Sequence, residues 1–224
     1  MDGLLLIDKP AGWTSHDVVA KLRGILKMRA IGHAGTLDPF ATGLLVLGLG
    51  KGTKRLTALV GVDKEYFATI RLGATSDTFD KEGVLTPHAT RDTPHPTNEE
   101  VEKALEKFRG GYDQLAPLHS AKKIGGKKLY DLARAGKATE EMRPMKHVSI
   151  KHLSIEQYAW PDLSIKVNCG SGTYIRSLAD DIGRELGVGG YCVELRRTKV
   201  GDFDVKDAVT MEGLNQDIAA KHVL

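Results

Sequence analysis

A chain of 224 residues, 41% hydrophobic and 27% charged, can bury a substantial core, and that balance belongs to a soluble globular protein, not to a membrane-spanning or disordered one. The apolar run Gly3–Ile7 is closed by Asp2 and Asp8, too short for a secretory leader or a membrane span, and Cys169 and Cys192 lie outside CxxC spacing. These features place the chain in a reducing compartment, the cytoplasm, with free thiols and no membrane partner.

The net charge of +3 hides an asymmetry: from His119 to Lys151 nine Lys and Arg stand against three acids, a local surplus of six. Such a segment is either a solvated charged face or a surface that neutralises a phosphate backbone.

In chain order, the pattern first gives a strand over Gly3–Asp8, closed by Lys9-Pro-Ala-Gly12. Thr14 and Asp17 then have capping-box spacing ahead of a helix with Val18, Leu22 and Ile25 or Leu26 on one face. Leu44–Gly48 reads as a buried strand, 51–59 as a short helix, and 64–72 as a strand with Tyr66, Ala68, Ile70 and Leu72 on one side. The Thr, Asp, Gly and Pro of 73–96 predict an irregular excursion. A second capping box, Thr97 to Glu100, opens a helix whose stripe is Val101, Ala104, Leu105 and Phe108, stopped by Gly110-Gly111.

A shorter helix is expected over 127–135, strands over 148–158 and 163–169, a helix over 173–186 ended by Gly187, a strand over 191–196 and a last one near Asp202. No repeat or linker divides the chain, and regular βαβ alternation is missing. The expected fold class is therefore α+β, a mixed, largely antiparallel sheet with flanking helices in one domain over 1–224.

Several chemistries fall away. Gly48-Leu-Gly-Lys-Gly-Thr-Lys54 lacks the order of a phosphate-binding GxxxxGK[ST] loop, the eight histidines form no HExxH or paired Cys/His spacing, and there is no GxSxG elbow. No metal and no cofactor is expected. What stands out is the loop His33-Ala-Gly-Thr-Leu-Asp-Pro-Phe-Ala-Thr-Gly43, with a lone carboxylate, Asp38, before a proline. By itself Asp-Pro is also the chemistry of a plain turn.

Five segments in register resemble the tRNA pseudouridine synthase B family. They are Leu5-Leu-Ile-Asp-Lys-Pro10 with 12–17; Gly32-His-Ala-Gly-Thr-Leu-Asp-Pro39 with 41–43; Lys64-Glu-Tyr66 with 71–73 and 75–77; Gly172-Thr-Tyr-Ile-Arg176 with 180–183 and 195–197; and Ala116-Pro-Leu-His-Ser-Ala-Lys122 running into 126–136. The last is similar to the family's RNA-gripping thumb, here an insertion over about 117–150.

The resemblance implies a pseudouridine synthase-like fold and isomerisation of a flipped uridine in the T-loop of tRNA, position 55 in tRNA numbering, by a monomer without a cofactor. Asp38 would be the catalytic carboxylate and Arg176 the arginine that pairs with it, since a carboxylate shielded from water stays ionised only beside a cation. Tyr66 would stack on the uracil, with Tyr174 and Leu195 lining its pocket, and His33 would pack beneath the flipped bases. Lys122, Lys123, Lys127 and Lys128 would meet the T-arm phosphates.

Two departures stand out: Leu118-His119 where the family usually has Met-Tyr, and Ala34 where Ser or Thr is common. A C-terminal PUA-type RNA-binding domain is expected to be absent. The rival expectations are a related synthase of guide-RNA particles that acts on another RNA, and a mainly non-catalytic tRNA-binding folding helper.

Overall fold

The structure, a computed structural model, describes residues 1–88, 94–120 and 122–224. Its elements run β1 (Gly3–Lys9), α1 (Ser15–Leu26), β2 (Ile31–Ala34), β3 (Thr42–Leu49), α2 (Leu56–Val60), β4 (Lys64–Leu72), β5 (Ala74–Ser76) and β6 (Leu85–Pro87). There follow α3 (Asn98–Glu106), β7 (Tyr112–Leu115), β8 (Lys123–Ile124), β9 (Lys127–Lys128), α4 (Leu129–Arg134), β10 (Met145–Val148), β11 (Ile150–Ala159) and β12 (Asp162–Cys169). The chain closes with α5 (Ile175–Glu185), β13 (Gly190–Val200), β14 (Phe203–Asp204), β15 (Val209–Thr210) and α6 (Gln216–Lys221). Two compact units result, Met1–Phe67 with Glu194–Leu224, and Ala68–Val193; the chain passes between them within β4 and β13.

In the first unit β3 is antiparallel to β1, from Gly3↔Leu49 to Lys9↔Gly43, and to β2, and its start runs parallel to β13 at Arg196↔Thr42. β15 is parallel to β1, and β14 antiparallel to β13, so the sheet is mixed and largely antiparallel. The continuous apolar runs of β1 and β3 reflect burial on both faces. Leu5, Ile7, Leu45, Leu47 and Leu49 pack with Val18, Leu22 and Leu26 of α1, while Leu4, Leu6, Leu44 and Val46 pack with Val200 on the other face. Helix α1 begins as its spacing predicts: the Thr14 hydroxyl accepts from Asp17 N at 3.0 Å, and the Asp17 carboxylate accepts from Thr14 N at 2.8 Å.

In the second unit β11 and β12 form an antiparallel hairpin beside β4, where Arg71 grips Asp162 in a two-bond fork at 2.8 and 2.9 Å. Helix α3 has the expected Thr97/Glu100 capping box and buries Val101, Ala104 and Leu105; Phe108, expected on the same stripe, is buried in the turn just past the helix end. Helix α5 buries Ile175, Leu178, Ala179 and Ile182. β7 pairs with β10, Leu115↔Met145 to Tyr112↔Val148, and these two strands are the root from which the basic segment 116–144 leaves and returns.

The α+β class and the sheet are as the pattern predicts; several boundaries are not. Ile31–Ala34 is a strand, so His33 sits on β2 and not in the loop. Lys127-Lys128 pairs with Lys123-Ile124 as a hairpin, and the helix expected over 127–135 starts only at Leu129. Val148 ends β10 instead of opening β11, because Ser149 interrupts the ladder. The excursion 73–96 contains the β5–β6 hairpin, and its residues 89–93 lie outside the described residues. Among the described residues no helix is long and apolar enough to cross a membrane.

Candidate active site

Asp38 lies half-buried on the loop between β2 and β3, and the sequence below the loop holds it in place. Lys9, fully buried, points its ammonium at three carbonyls, Trp13 at 2.6 Å, Pro10 at 2.9 Å and Pro39 at 3.2 Å. Gly12 N adds a bond to Pro39 O at 2.8 Å, and the buried Ser15 hydroxyl accepts from Leu37 N at 2.9 Å. Arg197, also buried, donates to Leu44 O at 2.7 Å and Gly35 O at 3.0 Å.

Both flanks of Asp38 are thus fixed, Leu37 from α1 and Pro39 from β1. Gly43 lets the strand return: its φ is +99°, and a Cβ there would sit 2.2 Å from Arg197 O. His33, on β2, has a buried Nδ1 with no hydrogen-bond partner, and burial, with the charges of Arg197 and His16, holds its pKa below the ordinary value.

In the second unit Arg176 occupies the first turn of α5 and is 4% exposed. It donates to Thr78 O at 2.7 Å and His119 O at 2.9 Å, and lies 3.3 Å from the Asp80 carboxylate. Asp80, buried, is itself fixed by the Thr78 hydroxyl at 2.6 Å and Glu82 N at 3.0 Å. Nearby, the Arg143 guanidinium stacks 4.9 Å over Phe79 and donates to Ala116 O at 2.8 Å. Tyr174 occupies the N-cap position just before Arg176 and, with Gln114, Lys122, Met145, Lys146 and Gly172, borders a cavity of about 190 Å³. Among the described residues no group of three or more His, Cys, Asp or Glu is placed to hold a metal ion.

A profile of the TruB family pseudouridylate synthase N-terminal domain matches residues 23–175, more than half of the chain, and one of the tRNA pseudouridylate synthase B C-terminal domain matches 176–223. The chain belongs to the TruB family of pseudouridylate synthases. It is 46% identical to the tRNA pseudouridine synthase B of Corynebacterium diphtheriae, over 96% of this chain and 73% of that protein. To the protein of the same name from Leifsonia xyli subsp. xyli it is 48% identical, over 92% and 69%. Among solved structures it resembles a Cbf5-Nop10-Gar1 complex at 30% identity and TM-score 0.74, covering 95% of this chain and 53% of that one. An H/ACA RNP bound to a substrate RNA containing 2'-deoxyuridine gives 28% and 0.70, with 95% and 52% covered, so this chain spans about half the length of the proteins in those structures.

As a TruB-family member the chain is an enzyme of the isomerase class. The residues expected from the family's motifs fall into the two units separately. Asp38, His33, Tyr66 and Leu195 belong to the first, where Tyr66, on β4, and Leu195, on β13, are both buried. Arg176, Tyr174 and the lysines belong to the second, where Tyr174 and Arg176 share one turn and Lys122 borders the same cavity as Tyr174. Lys123, Lys127 and Lys128 lie on the β8–β9 hairpin.

Sequence reading missed Asp80 and the buried Arg197 under the Asp38 loop, whereas Lys9, with Pro10 and Gly12, reads from the first motif as a support of that loop without a part in the chemistry. Asp80 stands three residues beyond the quoted Thr75-Ser-Asp77, and only its burial distinguishes it from Asp77. Arg197 is in one of the family-like motifs, but nothing in its spacing reveals that its guanidinium is spent on backbone carbonyls.

Proposed function

We propose that the chain converts a uridine in the T-loop of tRNA, position 55 in tRNA numbering, to pseudouridine, with Asp38 as the catalytic carboxylate. The observation that carries the reading is the support under Asp38. A carboxylate on a surface turn needs no buried lysine, serine and arginine to hold its neighbours, whereas one that must meet a reacting nucleoside does.

The reaction breaks the bond between N1 and C1′ and forms one between C5 and C1′; the C5 proton leaves and N1 gains one, so no atom is added or lost overall. The chain supplies a carboxylate to act as nucleophile or base, an arginine, Arg176, to keep it ionised, the ring of Tyr66 to stack against an extruded base, and Tyr174 to line its pocket. Leu195 contributes an apolar wall and His33, held neutral by its burial, a flat surface for the unstacked nucleotides. Lys122, Lys123, Lys127 and Lys128 meet phosphates on the T-arm, repaying the few kcal/mol that unstacking costs.

The test is to incubate the purified protein with a T-arm hairpin, and separately with an unrelated RNA hairpin of equal length, and to map pseudouridine with a base-specific chemical probe. Conversion at the T-loop uridine by the wild type and none by Asp38→Asn is the expected result. Conversion by the variant overturns the role of Asp38, and conversion confined to the unrelated hairpin overturns the substrate.

A further inference from the structure

The turn that carries Tyr174 and Arg176 has no side-chain cap of its own, since its N-cap residue is a tyrosine. It is held instead from β7. The Gln114 side chain, 2% exposed, lies against the backbone of Tyr174 and makes two bonds to it: Oε1 accepts from Tyr174 N at 2.8 Å, and Nε2 donates to Tyr174 O at 3.0 Å. This is a strand-like pairing made by a side chain: it gives the Tyr174 N–H, which precedes the helix ladder, an acceptor, and it adds a second donor to a carbonyl that already accepts from Leu178 N at 3.1 Å.

The second Nε2 hydrogen goes to the Tyr112 hydroxyl, which donates onward to Asp181 at 2.8 Å, so the amide has no freedom to flip. Burial and the neighbouring Asp181 carboxylate push the Tyr112 phenol above its ordinary pKa, which keeps this O–H in place as a donor. One residue on, the Ser177 hydroxyl donates to Leu115 O at 2.9 Å.

Strand β7 is also one of the two roots of the basic segment, paired with β10 from Leu115↔Met145. Its residues alternate, so Tyr112 and Gln114 face α5 together while Asp113 faces away and meets His147 at 3.0 Å.

We infer that Gln114 is a positioning residue for the isomerisation: its amide clamps the Tyr174 backbone and so sets the turn that presents Tyr174 and Arg176, tying that turn to the root of the RNA-gripping segment. The inference rests on the function proposed above for Tyr174 and Arg176, and it concerns a residue that never touches the reacting atoms. Because the clamp fixes geometry and not charge, its loss should slow the chemical step and leave RNA affinity nearly unchanged.

The test compares Gln114→Leu, which removes all three amide bonds at similar volume, with Tyr112→Phe, which removes the link to Asp181 but leaves both bonds to Tyr174. Both lose buried hydrogen bonds, and both should melt below the wild type while remaining folded by circular dichroism at the assay temperature. Under single-turnover conditions with the T-arm hairpin, Gln114→Leu should react at least about tenfold more slowly with a Kd within about twofold of wild type, whereas Tyr112→Phe should stay within about threefold in rate.

Amide exchange should show lost protection at Tyr174 and its neighbours in Gln114→Leu alone. Equal slowing of both variants in step with their lowered melting temperatures, a loss of Gln114→Leu confined to affinity, or unchanged exchange at Tyr174 overturns the inference. If the wild type converts no RNA, the proposed function fails instead, and the exchange measurement still decides whether the clamp exists.

Discussion

The loop that carries Asp38 and the basic segment from 116 to 144 solve opposite problems. The loop is short and overdetermined: Leu37 and Pro39 are bonded to Ser15, Lys9 and Gly12, and Arg197 holds Gly35 and Leu44. Among its described residues the basic segment has strands of two residues, an α-helix of six, a single 3-10 turn at Glu140–Met142 and exposed Lys122 and Lys137, with Leu129 as a buried anchor. Chemistry falls off within fractions of an ångström, so the residue that performs it is held by buried groups; attraction to phosphates acts across a Debye length of about 10 Å at 0.1 M salt and needs no such precision. Changes in the loop should therefore cost rate, and changes in the segment should cost affinity.

Asp38→Asn is the strongest challenge to that division. It should lower the single-turnover rate by roughly 10³-fold or more while the Kd for the T-arm hairpin stays within about twofold. A comparable loss in affinity would place Asp38 in binding and dissolve the contrast. Lys9→Met tests the support: three carbonyls lose a buried charged donor, which should cost about 3 kcal/mol in urea unfolding and slow turnover further than it weakens binding. A stability within 0.5 kcal/mol of wild type, on the order of an ordinary surface substitution, would mean that the loop does not depend on Lys9.

The legibility of the chain follows the same line. Elements with a local code were readable: the boxes at Thr14/Asp17 and Thr97/Glu100 start α1 and α3 as their spacing predicts, and β4 buries Tyr66, Ala68, Ile70 and Leu72 in strict alternation. Elements defined by their partners were not. β2 reads Ile-Gly-His-Ala and becomes a strand only because β3 offers it an edge, while β9 is Lys127-Lys128, two good helix formers drawn into a hairpin by the turn at Gly125-Gly126. The site divides likewise. Asp38 and Arg176 could be singled out by family resemblance, but Gln114 and Asp80 are ordinary polar residues until burial turns each into the partner of a particular backbone or guanidinium.

Replacing Lys122, Lys123, Lys127 and Lys128 together with Gln should give the mirror image of the loop variants: affinity lower by about tenfold near 0.1 M salt, with the rate at saturating RNA unchanged. If each lysine neutralises one phosphate of a single-stranded stretch, the slope of log K against log salt should flatten by about 3, at about 0.7 per contact. Binding titrations across several salt concentrations check this, and an unchanged slope would remove these lysines from the RNA interface.

The smallest expected effect is on pH-dependent stability, and it belongs to the loop side. His33 titrates below its ordinary value of 6.5 in the folded chain, chiefly because burial disfavours the imidazolium, with Arg197 and His16 adding repulsion. The unfolded chain therefore binds the proton more readily, and the stabilisation by neutral His33 is fully present above about pH 6.5 and is lost as pH falls toward the folded-state value. In His33→Gln no such proton exists. The stability difference between wild type and variant, taken from urea midpoints between pH 8 and pH 5, should be constant at the upper end and shift toward the variant below pH 6.5. A difference that stays flat across the whole range would mean that the imidazole is as easily protonated in the fold as in water, and that β2 does not hold it against a dry, positively charged wall.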